Sequence, residues 1–185
     1  NPVAGNLWTT VLADVNNDEI LDVLSTEHDD GVVTVLIGNG DGTFRERASY
    51  VSGSMVIGLE AADFNRDGNM DLVVGNFTDS SVSVLFGNGD GAFAAPLTFA
   101  TISTARGVDA GDLDGDGVDD LVVVQNDGHT QAFLSNGDGT FLAPISLLAG
   151  FSGMTTDEVQ LSDINNDGAL DLVASSYSGD FMAIL

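Results

Sequence analysis

The chain has no cysteine, no lysine and only three prolines among its 185 residues. Without cysteine there is neither a disulfide framework nor thiolate chemistry, so a secreted form needs another staple, and bound metal is the obvious candidate. Without lysine, four arginines (Arg45, Arg47, Arg66 and Arg106) stand against 29 acidic residues, a net charge of −25. Nucleic acid and anionic lipid both require basic patches, so this balance speaks against either as a partner. It suits cations, or partners that bring them. No apolar run reaches the roughly 18 residues of a membrane span, so no membrane insertion is expected. The opening NPVAGNLWTT also lacks the basic and apolar regions of a signal peptide.

Hydrophobic residues nevertheless make up 43% of the chain, in short recurring runs, which predicts a packed core rather than long disorder. The runs repeat. ADVNNDEILDVLS from Ala13, ADFNRDGNMDLVV from Ala62, GDLDGDGVDDLVV from Gly111 and SDINNDGALDLVA from Ser162 align, with their first aspartates at Asp14, Asp63, Asp112 and Asp163. The steps are 49, 49 and 51 residues. Between them IGNGDGTF, FGNGDGAF and LSNGDGTF recur from Ile37, Phe86 and Leu134, at steps of 49 and 48. Two motifs holding one period in phase mark a repeat architecture.

Each unit reads as strands. DLVVG and DLVVV are short β-rich runs, VVTVLIG and SVSVLFG suit strands buried on both faces, and NGDG is a hairpin turn of residues that accept positive φ. No 11-residue window carries a helical stripe. In the second unit the pattern predicts strands near 58–62, 72–76, 81–86 and 92–99. Four antiparallel strands in about 49 residues is the size of a propeller blade, so the fold class is all-β, built of β-propeller blades. The units fall near 7–50, 56–99, 105–148 and 156–185, the last without its outer strand. Asn1 aligns with Tyr50 near the end of an outer strand, and Leu185 with the end of a third strand. Nearly four blades suggest part of a larger propeller, an open array, or closure by another copy through open strand edges.

The acidic loop follows D-x-[DN]-x-D-G-x-x-D, with side-chain oxygens at positions 1, 3, 5 and 9 and a carbonyl at position 7. The four sets are Asp14, Asn16, Asp18, Ile20 and Asp22; Asp63, Asn65, Asp67, Asn69 and Asp71; Asp112, Asp114, Asp116, Val118 and Asp120; and Asp163, Asn165, Asp167, Ala169 and Asp171. Oxygen-only ligands select a hard cation, and Ca2+ takes six to eight such oxygens with loose geometry. Two carboxylates 4 Å apart repel by roughly 4 kcal/mol at an effective dielectric of 20, so a bound cation would relieve a strained loop. Up to four Ca2+ ions are expected. Position 6 is glycine in three loops (Gly68, Gly117, Gly168) and Glu19 in the first, which makes that site the weakest. An EF-hand is excluded by Ser25, Val74, Val123 and Ala174 at position 12 and by strands on both flanks. RTX nonapeptides are excluded because NGDG occurs once per unit.

These motifs resemble FG-GAP/VCBS-type repeats, the integrin α-subunit-like blades. Phe86-Gly87 with Ala95-Pro96 carries the full FG…AP signature. The third unit keeps Ala143-Pro144 but has Leu134-Ser135, and the first has Ile37-Gly38 and RERA. The resemblance implies a β-propeller, commonly seven-bladed, with structural calcium in these loops and ligands bound elsewhere.

The remaining candidates are weaker. His28 and His129 stand at different offsets and read as exposed turn residues. Trp8 and Tyr177 read as core or rim residues rather than sugar platforms. Asn76-Phe77-Thr78 is a glycan sequon. Asp41, Asp90 and Asp138 of NGDG read as turn formers. No nucleophile elbow is present, and the paired carboxylates are better explained by metal than by glycosidase chemistry, so no catalysis is expected. The expectation is a calcium-binding extracellular or cell-surface module for adhesion, recognition or assembly, with a protein or glycan ligand. The alternatives are a self-associating surface-layer or filament subunit, and a propeller-scaffold enzyme acting on polysaccharides.

Overall fold

Four small antiparallel sheets follow one another along the chain in the computed structural model, which describes residues 6–147, 156–176 and 181–184. Asn1, Tyr177 and Leu185 lie outside the described residues. The first sheet runs β1 (Leu7–Ala13), β2 (Asp22–Glu27), β3 (Val32–Gly38) and β4 (Phe44–Val51). The second is β5 (Val56–Ala62), β6 (Asp71–Asn76), β7 (Ser81–Leu85) and β8 (Leu97–Ala100). The third is β9 (Ala105–Gly111), β10 (Asp120–Gln125), β11 (Thr130–Phe133) and β12 (Ile145–Leu147). The fourth is β13 (Thr156–Ser162), β14 (Asp171–Ser176) and β15 (Phe181–Ile184). Each sheet is a meander in chain order, and no helix occurs among the described residues.

The outer strand of the second sheet is shorter than the sequence pattern predicts. It begins at Leu97, and upstream only Gly87 and Phe93 form an isolated bridge. Ala95-Pro96 is the cause, because proline has no N–H to give a ladder. Ala143-Pro144 shortens β12 in the same way, whereas the first sheet, with RERA there, has an uninterrupted β4.

Sheets stack through alternate side chains of their middle strands. Leu72 and Val74 of β6 join Val15, Leu24 and Val35 in a first core. Val73, one residue on, points the other way into a second core with Leu121, Val123 and Phe133. Val122 and Val124 of β10 then meet Val159, Leu172 and Ala174 in a third. This period of two, with apolar residues at both parities, explains why the middle strands read as continuous apolar runs. A fully buried valine or leucine contributes roughly 1.5–3 kcal/mol, so each inter-sheet core is a major stabilising element.

The inner strands pack in series, β1 on β5, β5 on β9 and β9 on β13. They approach closely: a Cβ on Gly58 would meet the Arg106 carbonyl at 2.4 Å. Arg106 bridges the last three sheets. Its guanidinium lies over the Phe77 ring at 5.5 Å, donates to Asn126 Oδ1 at 2.8 Å and pairs with Asp157 at 2.8 Å. The inner strands line an open cleft of about 580 Å³ whose lining includes Glu60, Asp109 and Glu158.

Candidate metal centre

In every sheet the loop from inner strand to second strand, carrying the D-x-[DN]-x-D motif, has one local plan. The first aspartate accepts backbone N–H groups on both oxygens. In the third loop Asp116 N–H donates to Asp112 Oδ1 at 3.1 Å and Gly117 N–H to Oδ2 at 2.9 Å. Asp63 receives Asp67 and Gly68 at 3.2 and 2.8 Å, and Asp163 receives Asp167 and Gly168 at 3.1 and 2.9 Å. Asp14 receives Asp18 and Glu19 at 3.2 and 2.7 Å. The third residue (Asn16, Asn65, Asp114, Asn165) accepts the fifth residue's N–H. The fifth (Asp18, Asp67, Asp116, Asp167) accepts from the seventh (Ile20, Asn69, Val118, Ala169). Short side chains bonding backbone two to five residues on are what wrap nine residues so tightly.

Such wrapping requires left-handed backbone at positions 4 and 6. Position 6 has φ of 85°, 81° and 91° at Gly68, Gly117 and Gly168, and Glu19 adopts 64°. Position 4 was not singled out in the sequence, yet Asn17, Arg66, Gly115 and Asn166 have φ of 58°, 57°, 80° and 60°.

The ninth residue differs from the rest of its set. Asp22, Asp71 and Asp120 are buried, and each joins the loop to the end of the third strand. Asp71 accepts Phe64 N–H at 3.1 Å and Gly87 N–H at 2.9 Å. Asp22 does the same with Val15 and Gly38, and Asp120 with Leu113 and Ser135. Asp171 accepts Ile164 N–H at 3.0 Å. Burial pushes the Asp71 carboxyl up to about 7, against the pull of its two N–H donors and with help from the charges of Asp67 and Asp63. Asp120 is raised for the same reason, with Asp114 and Asp116 adding to it.

The donor set fits a hard cation. The carboxylates of Asp112, Asp114 and Asp116 place one oxygen each within 4.8 Å of one another. Oxygens on a shared Ca2+ at 2.3–2.6 Å from the ion lie no further apart than about 5 Å. The other three loops have asparagine at position 3 and are less charged.

Two of the four arginines stand beside these loops, a placement the sequence pattern does not indicate. Arg45 Nη2 lies 3.4 Å from Asp18 Oδ2, and Arg66 Nη2 donates to the Asp116 carbonyl and lies 3.9 Å from its Oδ1. Neighbouring loops also touch: Asn17 Nδ2 donates to Asn69 Oδ1 at 2.8 Å.

Other candidates resolve differently. Asp41 and Asp138 cap their own turns, each accepting the N–H and hydroxyl of Thr43 or Thr140, which holds both carboxyls below the usual range. Asp90 accepts Ala92 N–H at 3.0 Å. His129 is exposed as expected, but His28 is buried. Trp8 stacks on it at 5.1 Å and Asp29 lies 2.8 Å from its Nδ1. Asn76 is buried too, its Nδ2 donating to Ser81 and Ser83 at 3.1 and 2.8 Å, so the folded chain cannot carry a glycan there.

Comparison with known proteins agrees with this architecture. The FG-GAP-like repeat profile matches residues 14–74, 63–123 and 115–174. No curated protein matches the chain. Among solved structures, a chain of the Photorhabdus luminescens Tc holotoxin pore is similar at 23% identity and a TM-score of 0.57. The match covers 95% of this chain and 9% of that one, and at such identity it bears on the fold alone. TcdB2-TccC3 without its hypervariable C-terminal region is similar at 15% identity and a TM-score of 0.44, covering 93% of this chain and 14% of that one. That likeness is too loose to argue from.

Proposed function

The chain belongs to the FG-GAP-like repeat family, and from that premise we propose that it is a non-catalytic, calcium-stabilised propeller module of an extracellular or cell-surface protein. The observation that carries this reading is the recurrence, at four places, of the same oxygen-lined wrap fastened to the strand beneath it. Asp112, Asp114, Asp116 and the Val118 carbonyl would hold the ion in the third loop, with Asp120 beneath them. The homologous sets would do so in the other three. Bound calcium supplies positive charge where carboxylates crowd together. The chain's own residues do the rest: backbone N–H groups orient the first, third and fifth side chains, and the ninth transmits loop order to the sheet.

The net charge of −25 supports a setting rich in divalent cations. Millimolar extracellular calcium fills sites with dissociation constants near 10⁻⁴ M. At about 100 times the dissociation constant each site adds roughly 2.7 kcal/mol, a large share of an ordinary domain's stability. The first loop is the weakest of the four in this reading, since Glu19 occupies a left-handed position and Arg45 already faces Asp18. Adhesion or recognition of a protein or glycan is the role such a rigid module serves. Calorimetric titration of stripped protein with CaCl₂, with melting curves in calcium and in EDTA, tests the reading. Calcium binding with a large fall in melting temperature in EDTA is expected; an identical curve in both would refute it.

A further inference from the structure

We propose that Arg66, a residue of the second acidic loop, is a built-in counter-cation of the third: it offsets that loop's carboxylates when no metal is bound, and it lowers the loop's affinity for calcium. The second half rests on the calcium reading above; the first does not. Arg66 reaches across the junction between the two sheets. Its Nη2 donates to the Asp116 carbonyl and lies 3.9 Å from Asp116 Oδ1. The side chain runs close over two glycines of the third unit. A Cβ on Gly137 would meet Arg66 Cδ at 3.2 Å, and one on Gly117 would meet Nη2 at 3.2 Å. The loop it reaches is the most acidic of the four, with Asp114 where the others have asparagine. Asp116 is one of the three residues whose carboxylate oxygens lie within 4.8 Å of one another there.

The placement is specific to arginine. Arg66 holds a φ of 57°, a left-handed conformation in which the other loops use asparagine or glycine and which a long side chain disfavours. At the preceding junction Asn17 takes the same slot. Its Nδ2 donates to Asn69 Oδ1 at 2.8 Å, and a Cβ on Gly89, the equivalent of Gly137, would meet that Nδ2 at 2.7 Å. Asparagine thus joins one pair of loops without adding charge, whereas arginine joins the next pair and brings a positive charge to the loop with the most carboxylates. Asp116 Oδ1 already accepts the Val118 N–H at 2.8 Å, so the guanidinium adds a second positive partner to one carboxylate. A divalent ion entering the loop meets a like charge. The Arg66 side chain is 50% exposed, so this opposition is screened by water and weakens with salt. Arg66 also stands between Asn65 and Asp67, two residues of the second oxygen set, so the wrap of one loop aims the charge at its neighbour.

Arg66→Gln, which removes the charge, and Arg66→Lys, which keeps it, test this in two measurements. Calorimetric titration of stripped protein with CaCl₂ at low salt is expected to show Arg66→Gln binding about fivefold more tightly at one site, with the gain shrinking at high salt. Adding Asp112→Asn, which cripples the third loop, is expected to abolish that gain. Hydrogen exchange in EDTA is expected to show residues 112–120 exchanging faster in Arg66→Gln than in wild type. Arg66→Lys is expected to stay near wild type in both. Calcium affinity that is unchanged or weaker in Arg66→Gln, a gain that survives Asp112→Asn, or unchanged exchange over 112–120 would each overturn the inference. Wild-type chain that binds no calcium at all would refute the calcium reading and the affinity half with it, and the exchange measurement would then decide the counter-cation role alone.

Discussion

Asp71 Oδ1 accepts the Gly87 N–H at 2.9 Å, joining the second acidic loop to the end of a strand 16 residues away. Its other oxygen takes the Phe64 N–H, so both acceptors of a buried carboxylate are engaged. Asparagine offers one acceptor and turns an N–H donor toward another donor. Asp71→Asn is therefore expected to lose about 2 kcal/mol in stability, read as a lower denaturant midpoint with an unchanged slope.

Glu19 holds a φ of 64° where the other loops have glycine. Its side chain is exposed, and the homologous Gly68, Gly117 and Gly168 have no neighbour that a Cβ would strike closer than 3.2 Å. The penalty is conformational rather than steric crowding. Glu19→Gly is expected to stabilise the metal-free chain by about 1 kcal/mol and to strengthen calcium binding at the first loop. Chemical denaturation and calorimetry read the two effects separately.

Burial raises the carboxyls of Glu60, Asp109, Asp119 and Glu158 along the cleft beside the inner strands; Asp157 pushes Glu158 further up while Arg106 pulls it down. Between the unfolded and the raised folded pKa values, the folded chain holds more protons than the unfolded one, so stability falls as pH rises through that window. Asp41 and Asp138 act oppositely, their contribution being lost only as pH falls below the ordinary carboxylate range. Calcium-stripped protein is thus expected to melt higher near pH 5 than near pH 7.5, with Glu60→Gln and Glu158→Gln flattening the difference.

Asn76 donates to Ser81 and Ser83 of the second sheet and accepts at 3.2 Å from Ser52, in the link from the first sheet. Folded protein secreted from a glycosylating host is expected to show no glycan mass at this sequon. Asn76→Ala is expected to cost about 2 kcal/mol, because it strands buried hydroxyls. Mass spectrometry and a melting curve check the pair.

The repeat was legible because it rests on residue types with one conformational meaning: glycine for positive φ, aspartate and asparagine for loop wraps, valine and leucine at both parities for sheets buried on two faces. Positions with two meanings were not. Asp71 belongs to the same acidic pattern as Asp67, and only three-dimensional burial distinguishes the residue that joins loop to sheet from one facing solvent. Arg66 and Arg106 carry the same charge, yet one borders an acidic loop while the other clamps three sheets. His28 lies at a turn, which reads as surface until Trp8 covers it. The outer strands shortened at Ala95-Pro96 and Ala143-Pro144, a stop that the missing proline N–H explains but that the apolar pattern around it obscured.

Because the two middle sheets each give opposite faces to two separate cores, neither can melt without dismantling both of its neighbours' packing. Opening either middle sheet therefore exposes apolar surface on two fronts at once, so β6 and β10 are expected to be among the slowest of the described strands to exchange their amide hydrogens.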